Sequence, residues 1–321
     1  MHDLEIIDGK ASMAYAGELP WHGLGTEVPS DLTPEQMLEA AQLNWQVEVR
    51  DMRVTDKNGE DVVVPGWKSL YRSSDEKFFS VIGEDWKPFQ NADAFQFFDD
   101  FVRAGDMEMH TAGSLQGGKR VWALAKVKDS FSLFGNKDII ENYLLLSNPH
   151  IYGSSIDVKM TPIRAVCTNT LTLALSTVSN YAVKISHRRE FDADTVKEKL
   201  GVAKEKLAKY KEAAEFLGSK RFTNDNIVDY FNEIFPRTSN AKDEENAQSR
   251  NAKDAMDVLV TQPGAELGAG TWWQAFNTVT FMTDHTIGRN NDTRLTSAWF
   301  GYNAKLKQKA LNKAVEYADA A

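Results

Sequence analysis

Trp45-Gln46-Val47-Glu48-Val49-Arg50-Asp51-Met52-Arg53-Val54 largely alternates apolar and polar side chains with period two. Successive side chains of a strand point to opposite faces, so this stretch predicts a strand with one wet face. Asp56-Lys57-Asn58-Gly59 follows, and its Asn-Gly pair supplies the positive φ of a tight hairpin turn. Val62–Val64 begins the return strand, and Lys68–Arg72 with Lys77–Ile82 reads as another hairpin. Upstream, Thr33-Pro34-Glu35-Gln36 reads as a helix start running to about Leu43. Thr33 caps it, Pro34 takes the first helical position and Gln36 is the reciprocal partner. Downstream, Asn91 reads as the cap of a helix whose apolar face is Ala94, Phe97, Phe98, Phe101 and Val102. Met107–Ala112 and Arg120–Val127 read as a further strand pair, followed by strand-like runs at Tyr143–Leu146 and Ile156–Val166. Residues 1–186 are therefore expected to form a twisted antiparallel sheet with a few packed helices.

The period changes near His187. Val196, Leu200, Ala203, Leu207, Tyr210, Ala214 and Leu217 are spaced alternately by four and three, a heptad-like seam over about 195–217. Such a seam packs either on its own domain or on another subunit. Ile227, Tyr230, Phe231 and Ile234 mark a helix stopped at Pro236, and Lys242–Val260 marks the next. Thr271-Trp272-Trp273-Gln274 reads as a second capping box, and a last helix spans about Thr296–Tyr317. The expected class is α+β, with a sheet domain at 1–186 and a mostly helical region at 187–321.

Cys167 is the one cysteine among 321 residues, which excludes an intrachain disulfide and a multi-cysteine metal site and fits a reducing compartment. Met1–Lys10 is acidic and lacks the apolar core of a signal peptide, and no apolar run is long enough to cross a bilayer. A cytoplasmic chain is expected. The net charge of −9 argues against a surface that grips nucleic acid everywhere, but charge is uneven. His187–Arg221 carries ten Lys/Arg and seven Asp/Glu, a local excess of +3.

Gly113-Ser114-Leu115-Gln116-Gly117-Gly118-Lys119-Arg120 nearly spells a phosphate-binding P-loop. Arg120 stands where a magnesium-binding hydroxyl belongs, and a strand follows rather than a helix, so nucleotide hydrolysis is excluded. A glycine-rich tip carrying Lys119 and Arg120 still suits a nucleic-acid phosphate, beside the plainer reading of a solvated turn. Arg164 lies inside an apolar run, where it either holds a phosphate or satisfies nearby carbonyls. Lys184, Arg188 and Arg189 form the densest basic cluster. No histidine pair has metal-ligand spacing, and no nucleophile motif accompanies Asp284-His285. No cofactor, metal or catalytic residue is assigned.

Three stretches carry a resemblance: Pro20-Trp21-His22-Gly23-Leu24-Gly25, then Ala112-Gly113-Ser114-Leu115 through Val121-Trp122-Ala123-Leu124-Ala125, then Pro162-Ile163-Arg164-Ala165-Val166-Cys167-Thr168-Asn169-Thr170-Leu171. Together they resemble the phage/plasmid-like protein family, whose function is not known. That resemblance implies a phage, prophage or plasmid setting in the bacterial cytoplasm. The order of elements is also similar, at the level of fold alone, to phage single-strand annealing proteins, which form rings and hold single-stranded DNA in a basic groove.

The first expectation is an oligomeric accessory of phage or plasmid DNA metabolism that binds single-stranded DNA, in annealing or recombination. Lys119, Arg120, Arg164, Lys184, Arg188 and Arg189 would contact phosphate, and Trp122 or Trp86 would stack bases. The alternative is a non-enzymatic protein that inhibits or recruits a host or phage partner, its negative charge suiting competition with DNA. A third reading is a nuclease with a dispersed site.

Overall fold

The computed structural model describes residues 4–17, 23–164, 182–237, 248–288, 294, 297–298 and 301–320. The chain opens with four short strands, β1 (Ile6–Ile7), β2 (Lys10–Ala11), β3 (Met13–Ala16) and β4 (Thr26–Val28). Helix α1 (Pro34–Ala40) starts at the expected capping box. The Thr33 hydroxyl accepts from the Gln36 N–H at 3.2 Å, and Gln36 Oε1 accepts from the Thr33 N–H at 2.8 Å. The period-two stretch is β5 (Val47–Thr55), which turns at Gly59 (φ 85°) into β6 (Asp61–Arg72). Strand β7 (Phe78–Gly83) completes a three-stranded antiparallel sheet in the order β5-β6-β7.

The segment expected to be one helix from Asn91 is two, α2 (Asn91–Gln96) and α3 (Asp99–Arg103). Gln90, not Asn91, sits at the cap. Asn91 is buried, and its amide donates to the Leu43 carbonyl at 3.0 Å. A buried amide with a fixed partner is more valuable there than an exposed cap.

Strands β8 (Met107–Leu115), β9 (Arg120–Leu133), β10 (Asp138–Pro149), β11 (Ser155–Arg164) and β12 (Ala182–Ser186) join the larger sheet. Its order is β12-β11-β10-β9-β8-β3-β4. The β3–β4 pair is parallel, so this sheet is mixed, while β3–β8, β8–β9 and β11–β12 are antiparallel.

The helical part comprises α4 (Ala193–Ser219), α5 (Asn224–Ile234), α6 (Arg250–Thr261), α7 (Trp272–Phe281) and α8 (Tyr302–Asp319). Thr223, Ser249 and Thr271 cap α5, α6 and α7 through their hydroxyls. The second capping box is half formed. Thr271 accepts from the Gln274 N–H, but the Gln274 side chain turns to the Gly270 N–H and to the Leu259 and Ala265 carbonyls. Helix α7 passes into a π-helical turn at Met282–Thr286.

The chain segregates into two compact units, though not at a single cut near 187. The first draws on Met1–Lys128, Tyr143–Met160 and Ala182–Gly201. The second is chiefly Asp129–Asn142 and Val202–Ala321, so the end of the β9–β10 hairpin is counted with the helices. Leu133 and Ile140 from that hairpin end share a core with Leu217, Tyr230, Trp272, Trp273 and Phe276. Trp273 Nε1 donates to Asp138 at 2.9 Å, and the Tyr230 hydroxyl donates to the Ala310 carbonyl at 3.0 Å. Ala214 and Leu217 of the heptad-like seam are buried in this core, which is a contact of the helix with its own unit. Among the described residues no helix is long and apolar enough to cross a membrane.

Candidate nucleic-acid interface

The tight turn between β8 and β9 needs left-handed backbone, supplied by Gln116, Gly117 and Gly118 at φ of 55°, 64° and 89°. The tip is packed, not open. A Cβ on Gly117 would lie 2.5 Å from Lys77 Nζ, and one on Gly118 would lie 2.8 Å from Arg72 Nη1. The phosphate-cradle expectation for this loop is therefore corrected: its inner side is filled by the fold's own cations and by the Phe79 ring. Lys119 is half-buried, and its carbonyl accepts the His150 N–H at 2.8 Å.

Arg120 also turns inward. It donates to Ser147 Oγ at 2.9 Å, and burial pulls its pKa below the ordinary value while Asp157 opposes the shift. Lys159 on β11 is wholly buried, and burial brings its pKa down to about 7 against the pull of Asp157. These cations belong to the interior and do not meet a strand of nucleic acid at the surface. Trp122 is 1% exposed and Trp86 5% exposed, so neither has a face open to a base, which corrects the stacking assignment. The Arg164 side chain and residues 165–181, with Cys167 and Asn169, lie outside the described residues.

Three of the expected contacts are at the surface. Lys184 is exposed on the edge strand β12, in register with Asp157. Arg188 and Arg189 follow, both exposed, with their N–H groups bonded to Ser186 Oγ at 3.3 Å and the Ser186 carbonyl at 2.9 Å. Arg188 Nη2 donates to the Tyr152 hydroxyl at 3.4 Å.

Tyr152 leads to what the sequence did not reveal. It is 43% exposed, and Trp67 on β6 is 44% exposed, with ring centroids 6.4 Å apart. Tyr152 sits in the turn between β10 and β11, held by its N–H to Ser80 Oγ at 3.2 Å. Gly66 (φ 80°) precedes Trp67 at an irregularity of the β5–β6 ladder. Farther along β6 and β7, Tyr71 and the exposed Phe78 meet edge-on at 5.7 Å. Exposed aromatic rings lying side by side offer apolar faces to a ligand. The only sequence signal is a large aromatic beside a glycine of special backbone at both places, Gly66-Trp67 and Tyr152-Gly153.

Two buried histidines fix the segments beneath. The neutral His150 ring bonds Asn91 Oδ1 at 3.0 Å and stacks on Phe79. His187 stacks on Trp86 at 4.1 Å and bonds the Lys87 carbonyl through Nδ1 at 3.1 Å, while the Lys87 N–H donates back to the His187 carbonyl at 2.9 Å. Burial lowers the His150 pKa to about 3 and that of His187 to about 4. Both folded values lie below the unfolded value near 6.5, so acid is taken up by the unfolded chain first. The stability these two groups contribute is fully present well above pH 6.5 and is lost as pH drops toward 4, by up to about 1.4 kcal/mol per pH unit for each group. Urea unfolding across that range should show this loss, and a His187→Gln variant should show a slope smaller by about one proton. An unchanged slope in that variant would contradict the assignment.

Beside Arg189 opens a cleft of about 770 Å³ with His187 and Ile156 among its lining. Its rim is charge-balanced: Lys87, Arg103, Arg189 and Lys197 face Asp93, Asp99, Asp100 and Glu190, and Lys197 donates to Asp100 at 2.6 Å. Phe89 and Phe191 stack at 4.4 Å in its wall.

No curated protein and no solved structure matches this chain. A family model does, over residues 78–299, which takes in Tyr152, Lys184, Arg188 and Arg189 and leaves Trp67 outside. The chain belongs to that family, described as a domain of unknown function (DUF932).

Proposed function

We propose that this chain binds single-stranded DNA through the surface formed by Trp67, Tyr152, Arg188 and Lys184, as an accessory of phage or plasmid DNA metabolism in the bacterial cytoplasm. The observation that carries the reading is the exposed Trp67–Tyr152 pair with a guanidinium at the Tyr152 hydroxyl. Single-strand binders combine stacking rings with cations that track the backbone, and each stacked base contributes about 1–3 kcal/mol. A duplex keeps its base faces stacked on one another, so rings of this kind favour single strands. The chain's net charge of −9 confines binding to this local surface.

Fluorescence anisotropy with an oligonucleotide tests the reading. Trp67→Ala and Tyr152→Ala should each weaken single-strand binding by roughly tenfold, the effect of losing one stacked base. Arg188→Ala with Lys184→Ala should reduce the log–log salt slope by about 1.4, at about 0.7 per phosphate contact. Both ring positions are exposed, so circular dichroism should be unchanged. Wild-type affinity in both ring variants would refute this site.

A further inference from the structure

The β5–β6 hairpin reaches beyond the rest of its sheet. Beyond Asp51 its two strands pair only with each other, and Val54, Val62 and Val63 are exposed, as is Val49. An isolated two-stranded ribbon is marginal in water. Strand β5 is an edge of its sheet, nine residues long, and after Val47, whose N–H and carbonyl bond the Gln90 side chain at 2.9 and 3.0 Å, its outer row of backbone donors and acceptors is unpaired by any other strand. Edges of this length are normally shortened, covered or paired.

We infer that the edge of β5 pairs antiparallel with β5 of a second copy of this chain, across a twofold axis at Met52. The charge pattern selects both the partner and the register. Where a twofold axis runs through a shared sheet, opposed residues lie on the same face, so one residue sits opposite its own copy at the centre. Centring on Arg50, Asp51 or Arg53 opposes like charges, which destabilises a ladder. Centring on Val49 sets Glu48 against Arg50, but it also sets Asp51 against Val47, which is buried and whose N–H and carbonyl already bond the Gln90 side chain at 2.9 and 3.0 Å. Centring on Met52 opposes Asp51 to Arg53 twice, Arg50 to Val54 and Val49 to Thr55. Val49–Thr55 is then paired throughout, and the exposed Arg53 side chain, which makes no hydrogen bond among the described residues, meets Asp51 of the copy, a carboxylate that also holds Lys68 Nζ of its own chain at 2.6 Å. This pairing does not depend on the DNA reading, since it uses the opposite edge of the three-stranded sheet from β7.

Sedimentation velocity and disulfide trapping test it. The full chain should sediment as a dimer at tens of micromolar. Arg53→Glu should be monomeric, and the charge exchange Asp51→Lys with Arg53→Glu should restore the dimer. In a Cys167→Ser background, Met52→Cys should crosslink to its copy under mild oxidation. Directly opposed residues lie about 4.5–5.5 Å apart, within disulfide range. Val49→Cys, placed opposite Thr55, should crosslink at least tenfold less. A monomeric wild-type chain, a dimer that survives Arg53→Glu, or crosslinking that is equal at both positions would overturn the proposal, and the trapping result stands even where a charge variant fails to fold.

Discussion

Replacing Glu5 by Ala should lower the stability of the sheet-rich unit by about 3–5 kcal/mol, the usual cost of removing one partner from a buried ion pair. The Glu5 side chain is 4% exposed and accepts four hydrogen bonds. Both of its oxygens lie 2.8 Å from Arg72 Nη1, one takes Ser114 Oγ at 2.9 Å, and the other takes Lys77 Nζ at 3.2 Å. Arg72 is as deeply buried and is shared with Asp75, whose bonds, ahead of those from Glu5, hold its pKa above the ordinary value. Without Glu5 the guanidinium keeps one partner, and Asp75 is half in solvent. The network also ties the N-terminal strands to β6 and to β8, because Ser114 lies on β8 and the Glu5 N–H donates to the Ser114 carbonyl at 3.1 Å. Urea unfolding followed by circular dichroism reads the effect as a lower midpoint at constant slope. A loss below about 1 kcal/mol would place the pair among weak surface bridges and contradict its burial.

The second large effect belongs to the helical unit. Lys307 of α8, 1% exposed, bonds Asp284, 4% exposed, within the π-helical turn. Lys307→Ala should cost about 3–5 kcal/mol, since the cation facing a buried carboxylate is removed. Asp284→Leu combined with Lys307→Met should recover most of that loss, because apolar side chains of similar volume often replace a buried pair without penalty. With Asp284→Leu and Lys307→Met as its two single arms, the double-mutant cycle from thermal unfolding should be strongly non-additive, the double variant losing far less stability than the two single losses summed. Additive effects would show that the two side chains do not act as a pair. Sequence reading found no nucleophile motif for Asp284-His285 and assigned it no catalytic role; the structure gives Asp284 a buried cation as partner.

Local chemistry was legible wherever one element decides it. The strand β5, the Asn58-Gly59 turn and the Thr33–Gln36 capping box are short-range signals, and each is present in the fold, but the period of β5 did not give its covered face: Val49 and Val54 are exposed while Glu48 and Arg50 are half-buried. The Gly113–Arg120 loop was legible as a turn but not as a packed one, because its fillers Lys77, Arg72 and Phe79 come from another sheet. Period two sets Val121 and Trp122 on opposite faces of β9 but does not show which face is covered; both are buried in the central strand of a seven-stranded sheet. The Glu5–Arg72 pair has no sequence signature, since a single carboxylate and a single guanidinium far apart in the chain predict nothing until a fold joins them.

The same reasoning divides the candidate site. Lys184, Arg188 and Arg189 were found as a local cluster and are exposed. Trp67 and Tyr152 were missed because a meander strand and a distant turn bring them together. Arg120 was misplaced because an arginine at a strand start is as compatible with a buried hydroxyl partner as with solvent.

The most direct test of single-strand recognition is wild-type binding to a short single strand and to the matching duplex, measured by anisotropy over a series of salt concentrations. The account predicts tighter binding to the single strand and a log–log salt slope of about −1.5 to −2, near −0.7 for each of a few phosphate contacts. No single-strand binding at low salt, or equal binding to the duplex, would contradict it.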